Sequence, residues 1–127
     1  MSQPSNSPIA ARVGPVYDLE GLRQLTSWNT AEITQRCKDH TLLRLITADG
    51  VPVYPASQFQ GQQLRPTMVR LLQILLGSGA DGWTVALWLV TPHNELSGLT
   101  PIEWVRSQPN DQELIAAAHT AAARWSA

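Results

Sequence analysis

The sequence predicts a mostly α-helical protein, with an N-terminal helix-turn-helix carrying a two-stranded β-hairpin wing and an all-helical C-terminal module. Three observations lead to this prediction. Apolar residues recur at helical spacing behind capping residues from residue 18 onward. An Asp-Gly pair at residues 49–50 separates two runs rich in β-branched residues, which is typical of a hairpin. Beyond residue 63 the apolar pattern is helical throughout.

The first two helices are predicted from two short amphipathic stretches. Asp18 is a plausible N-cap for a helix that ends near Ser27 and has an apolar stripe of Leu19, Leu22 and Leu25. Asn29, with Glu32 three residues later, resembles a capping box and starts a second helix through about Asp39. Its predicted buried stripe consists of Ile33 and Cys37.

A hairpin is predicted to follow the second helix. Its strands are Leu42 to Thr47 and Val51 to Tyr54. Because Pro52 has no N–H donor, we expect the second strand to lie at a sheet edge, in a ribbon without further strands. The glutamine-rich stretch 58–63 is predicted to be a link.

Four helices are predicted after this link. The first helix begins at Pro66, has an apolar stripe and ends at Gly77 and Gly79. The second helix is capped by Asp81 and ends before Pro92. Thr100 and Glu103 form a capping box for a third short helix. The last helix, about 111–125, repeats this start with Asn110 and Glu113, and its alanines allow close packing on a neighbour.

Length and composition exclude several classes of protein. The chain has 127 residues, 43% hydrophobic and 15% charged, which suits a small globular protein. A net charge of -1 argues against a simple polycation that coats nucleic acid or membranes. The longest apolar run, 85–90, is far too short to span a bilayer, so no membrane partner is expected. Cys37 is the sole cysteine, and we expect a cytoplasmic protein without disulfide or zinc.

The domain organisation follows from the same pattern. Residues 1–15 are rich in Ser, Pro, Asn and Gln and are predicted to be a disordered tail. Residues 16–60 form the predicted winged-helix-like module, and residues 61–127 form the helical module. The small-residue face of the last helix, with more leucines than a small module can enclose, predicts a homo-oligomer.

The second helix is the candidate DNA-reading element, because a helix-turn-helix places this helix in the major groove and the wing on the backbone. Its outward groups, together with one arginine on the ribbon, are those used on base edges and phosphates: Thr30, Thr34, Gln35, Lys38 and Arg44. The alternative is an ordinary solvated helix face. Residues 17–48 carry four basic and four acidic side chains, so little phosphate neutralisation is available.

Two stretches resemble a known family. Residues 25–59 contain NTAEITQRCKDHTLLRL, the Asp-Gly hairpin and VYPASQF, and look like the small winged-helix module that precedes the toxin-binding domain in bacterial antitoxins. DGWTVALWLVTPHNELSGLTPIEWV is similar to the core of the MbcA/ParS/Xre antitoxin family. That family has a helix ending in W-L-x-T-P, a loop ending in Leu-x-Gly and a helix opening with T-P-x-E-W. The resemblance covers about residues 19–125.

The resemblance implies two partners, a RES-domain toxin that consumes NAD and the double-stranded operator DNA of the shared operon. In such antitoxins the C-terminal segment approaches the toxin's active-site opening. Here that segment carries Arg124 and Trp125, which we take as candidate partner-binding residues because Arg and Trp are prominent in interface hot spots. The alternative is that Trp125 packs on Ile115 or Trp104.

Catalysis is not expected, and no catalytic residue, metal site or cofactor is predicted. His40, His93 and His119 are isolated, and the chain has no metalloprotease motif, nucleophile elbow or phosphate-binding glycine loop. The resemblance therefore implies an antitoxin-like protein that neutralises a RES-domain toxin and represses its own operon. The alternative is a stand-alone winged-helix transcriptional regulator that dimerises through its C-terminal helices.

Overall fold

The computed structural model describes residues 12–107 and 110–126. Six α-helices lie within these residues: α1 (Leu19–Thr26), α2 (Thr30–Lys38), α3 (Pro66–Gly77), α4 (Gly82–Leu89), α5 (Pro101–Ser107) and α6 (Gln112–Trp125). The strands are short: β1 (Val16–Tyr17), β2 (Leu45–Ile46), β3 (Pro52–Pro55), β4 (Phe59–Gln60) and β5 (Gln63–Leu64). The protein is mostly helical with a small antiparallel sheet, as predicted. No helix in the described residues is long and apolar enough to cross a bilayer.

The main sheet has three strands in the order β1-β3-β2, so β3 is central. The predicted pairing of β2 with β3 is confirmed, with Leu45 opposite Val53. The prediction that β3 lies at an edge of an isolated ribbon is wrong, because β1 pairs with its other side, with Val16 opposite Pro55. The sheet tolerates both prolines because they occupy the two ends of the strand.

A second hairpin, β4–β5, replaces the predicted glutamine-rich link. Phe59 pairs with Leu64 and Gln60 with Gln63. Gly61 adopts a positive φ of 62° at the turn, a conformation that costs glycine little. The sequence offered only two residues for each strand, too few for an alternating pattern.

The buried side chains of the described residues form two clusters. The smaller one joins Leu22 of α1 and Ile33 of α2 to the sheet and β4 through Leu42, Tyr54 and Phe59. The larger one lies among the C-terminal helices but also contains Val13, Leu43 and Leu45. The predicted boundary at residue 60 therefore does not separate two independent cores.

The N-terminal tail prediction needs a correction for residues 12–15. Val13 is only 7% exposed and packs in the larger cluster. Pro15 accepts a hydrogen bond from Ala56 N at 3.0 Å. These contacts hold residues 12–15 in the folded part; the rest of the predicted tail, residues 1–11, lies outside the described residues.

Most predicted helix caps are confirmed. The Asp81 carboxylate accepts from Thr84 N at 2.7 Å, and the Thr100–Glu103 capping box makes both of its hydrogen bonds. The box predicted for α6 is wrong. Asn110 accepts from Gln112 N instead, while Asp111 accepts from Thr67 Oγ1 and pairs with Arg70, which ties the start of α6 to α3.

Candidate nucleic-acid interface

Helices α1 and α2 are joined by a tight turn over residues 27–29. Ser27 adopts a left-handed conformation with φ 65°, and Trp28 N donates to Thr26 Oγ1 at 3.1 Å. Asn29 then caps α2 by accepting from Glu32 N at 2.8 Å. Leu22 and Ile33 are buried in the same cluster, and their packing fixes the angle between α1 and α2.

Helical spacing assigns the side chains of α2 to distinct faces. Ile33 is fully buried and Cys37, one turn later, is half-buried, so this side points to the core. Successive residues turn by about 100° around the axis, which places Gln35 at the outer face. Thr30, Thr34 and Lys38 follow one another at four-residue intervals along one flank, and Glu32 and Arg36 lie on the other flank.

The predicted reading residues differ in their exposure and in their hydrogen bonds within the protein. Thr30 and Lys38 are exposed, and Thr34 is half-buried. Gln35 is exposed, but its amide nitrogen donates to the Asp39 carboxylate at 3.0 Å. Lys38 makes no ion pair with any residue in 12–107 or 110–126. Lys38 is therefore the cation of this helix that is available to a ligand.

Arg44 lies beside the C-terminal half of α2. Burial raises the pKa of the Cys37 thiol, and the positive charge of Arg44 opposes that shift. Burial also raises the pKa of Tyr54, again with an opposing contribution from Arg44. Cys37 and Arg44 line the same small cleft, so the structure brings Arg44 close to the predicted reading helix.

Arg36 is engaged within the protein. Its guanidinium lies 3.9 Å from the centre of the Trp28 ring and donates to Glu32 at 3.1 Å. The four-residue spacing of Glu32 and Arg36 was the signal for this ion pair in the sequence. This pair neutralises one flank of α2 and leaves the Lys38 flank as the basic one.

The turn between β2 and β3 carries a negative charge that sequence analysis did not weigh. Thr47 Oγ1 donates to the Asp49 carboxylate, at 2.6 Å, and holds the pKa of Asp49 below its usual range. Gly50 closes the turn at φ 82° by donating to Thr47 O at 2.9 Å. The tip is therefore anionic at neutral pH and does not suit a phosphate contact.

The two predicted partner-binding residues lie at the end of α6, far along the chain from α2. Arg124 is exposed in the last turn. Trp125 is half-buried and packs against the larger core cluster. The indole thus has a structural contact, and the guanidinium is the accessible group of the two.

Comparisons with known proteins add a fold likeness. A scan against protein-family models and a search of the curated proteins each found no match. Among solved structures, the chain is similar to the one described as the NMR structure of Rv2175c, with a TM-score of 0.72 and 22% sequence identity. The match covers 96% of this chain and 98% of that chain. At this identity the likeness establishes the fold alone.

Proposed function

We propose that the protein binds double-stranded DNA by placing α2 in the major groove. The element order β1-α1-α2-β2-β3, with β1 and β2 on either side of β3, supports a winged helix-turn-helix. The observation that carries the proposal is the exposed outer side of α2, where Thr30, Gln35 and Lys38 offer hydrogen bonds and one cation without an internal ion pair. Such groups recognise base edges and phosphates.

The charge distribution indicates what kind of DNA binding to expect. Non-specific affinity depends on the number of phosphates that are neutralised. Here Arg36 is paired and Asp49 occupies the turn tip, so Lys38 and Arg44 are the cations near the reading side. We therefore expect weak binding to arbitrary DNA and measurable binding only where the base contacts add to it.

Fluorescence anisotropy on a duplex selected from a random pool, at two salt concentrations, tests this proposal. Lys38→Glu should weaken binding about tenfold and reduce the salt dependence by about one ion, because a phosphate contact is lost. Arg124→Glu is the matched control, since it changes the net charge equally on an exposed helix end far along the chain. Failure to select any duplex, or equal loss in both variants, would contradict DNA reading by α2.

Neutralisation of a RES-domain toxin is a second proposal, supported by the resemblance of residues 81–105 to the antitoxin core and by the exposed Arg124. An exposed guanidinium on α6 can pair with a carboxylate on the surface of a partner enzyme. Arg124→Glu should then relieve inhibition of NAD consumption by a RES-domain enzyme encoded in the same operon. Truncation after Ala123 also removes the Trp125 packing, so its melting temperature must be compared with that of the full chain.

A further inference from the structure

A cleft of about 400 Å³ lies where three parts of the chain meet. Its lining comes from residues 12–15, from Ala56 and Ser57 after β3, from the end of α4, and from the segment between Thr100 and Arg106 that contains most of α5. Its volume falls within the range of small-molecule sites. None of the residues that line the cleft belongs to α2, so the cleft is separate from the proposed reading side.

Two arginines line this cleft, Arg12 and Arg106. Arg12 is held in place, because its Nη2 donates to Val90 O at the end of α4 at 2.6 Å and the neighbouring Val13 is buried. An arginine has five N–H donors, so this anchoring leaves others free. The contact therefore orients the charge of Arg12 without neutralising it.

Arg106 forms no ion pair within the described part of the chain. Arg23, Arg36 and Arg70 contrast with it, since each has a carboxylate partner. The acid that lines the cleft, Glu103, accepts from Thr100 N at 2.8 Å as part of the α5 cap. Two cations and one engaged carboxylate give the cleft a net positive charge in a protein whose overall charge is -1.

We propose that this cleft binds a small anion bearing a phosphate or carboxylate group. Guanidinium groups recognise both through charge-assisted hydrogen bonds, and two arginines that line the same cleft make it attractive to an anion. The Ser57 hydroxyl, also in the lining, adds a neutral donor. The site is assigned by the convergence of these donors in one concavity and does not depend on DNA binding.

Amide chemical shifts of the full chain, titrated with inorganic phosphate and with succinate at constant ionic strength, test the site. We expect saturable shifts at Ser57 and Glu103, and the tighter probe identifies the preferred anionic group. Arg106→Gln should weaken binding at least about fivefold, which corresponds to roughly one charge-assisted hydrogen bond. Glu103→Gln keeps an oxygen that can cap α5 and removes a negative charge that repels the anion, so it should strengthen anion binding.

Arg23→Gln is the control for general charge effects, since Arg23 is exposed on α1 and does not line the cleft, and it should leave binding unchanged. Shifts that grow linearly with both probes would overturn the proposal. So would equal losses in the Arg106→Gln and Arg23→Gln variants. If duplex DNA produced the same shifts at Ser57 and Glu103 and displaced phosphate, the arginines would belong to a DNA surface and the small-anion site would be rejected.

Discussion

Gly82, the first residue of α4, lies against the backbone of β2 and the segment before it. A Cβ at this position would be 2.6 Å from Arg44 O and 3.2 Å from the Leu45 side chain. Real Cβ atoms do not approach a carbonyl oxygen so closely, and the backbone of a paired strand cannot move aside as a side-chain end can. The absence of a side chain at Gly82 therefore lets α4 pack directly on the sheet.

Gly82→Ala should lower the free energy of unfolding by about 1–3 kcal/mol, the usual cost of overpacking. Gly77→Ala is the matched control. Gly77 also lies at a helix end, but its nearest neighbour would be 3.9 Å from the added Cβ, so we expect no loss and a gain of up to about 1 kcal/mol. Urea denaturation of the two variants measures both values; equal stabilities would refute the close packing of α4.

Gln58 is a buried polar residue with a specific hydrogen-bonding role. Its Oε1 accepts from Leu43 N at 2.9 Å and its Nε2 donates to Leu43 O at 3.0 Å. The side-chain amide thereby satisfies both backbone groups of Leu43, which would otherwise be buried without partners. The sequence predicted that this glutamine lies in a polar link. A single side chain that hydrogen-bonds to the backbone of a residue far away in sequence leaves no periodic pattern from which the bond could be predicted.

Gln58→Glu should destabilise the fold by about 3 kcal/mol at neutral pH, because a carboxylate cannot donate to Leu43 O. Protonation restores a donor, so the folded state raises the pKa of the introduced carboxyl group. The loss should be smallest below about pH 4 and increase as the pH rises through that raised pKa. Denaturation at several pH values, with the exposed Gln60→Glu as control, tests this; a loss independent of pH would contradict the pairing.

At the scale of elements, most helix starts and the pairing of β2 with β3 were predictable, whereas the pairing of β1 with β3 was not. The caps at Asp18, Asn29 and Asp81 are confirmed because a cap joins residues within one helical turn. The α6 cap was predicted wrongly since Asp111 bonds to the distant α3. Strand β1 went unrecognised because its two residues are defined only by their partner, β3.

The Asp81 cap of α4 gives a pH-dependent prediction. Its hydrogen bond from Thr84 N lowers the pKa of the carboxyl group. A lowered pKa contributes stability that is present above the unfolded-state value and lost as the pH falls through the folded-state value. The advantage of wild type over Asp81→Asn should therefore shrink below about pH 4, and it should be small because the group is solvent-exposed.

Asp81→Ala removes the cap at every pH and should cost about 1 kcal/mol of unfolding free energy. Thermal melts of wild type and both variants across the acid range separate the two effects. An Asp81→Asn variant that tracks wild type at all pH values would show that the charge at Asp81 adds nothing to the hydrogen bond.

At the scale of the whole molecule, the larger core joins the N-terminal sheet to the C-terminal helices. Leu45 of β2 is 1% exposed and belongs to this cluster. Helix periodicity in the sequence identified the leucines of α3, but it could not show which core the strand residues join. The candidate reading residues were predicted from the outward side of α2, whereas the hydrogen bond that engages Gln35 with Asp39 became evident only in the structure.

Leu45→Ala should lower the free energy of unfolding by about 2–5 kcal/mol, as truncation of a buried leucine does. Because the cores share the sheet, hydrogen-exchange protection of Ile33 in the smaller cluster and of Leu75 in the larger cluster should fall equally. Val51 is 44% exposed beside the turn between β2 and β3, so Val51→Ala should change hydrogen-exchange protection little. Loss confined to Leu75 would mean two separately folding units.

The pairing of β1 with β3 has a consequence for the order in which the chain folds. Strands β2 and β3 are joined by a short turn, whereas α1, α2 and β2 separate β1 from β3 in the sequence. Closing so long a loop costs more chain entropy than closing the hairpin, and distant contacts slow folding. We therefore expect residues 12–17 to dock in the last step of folding. In this step β1 pairs with β3 and Val13 packs into the larger core cluster.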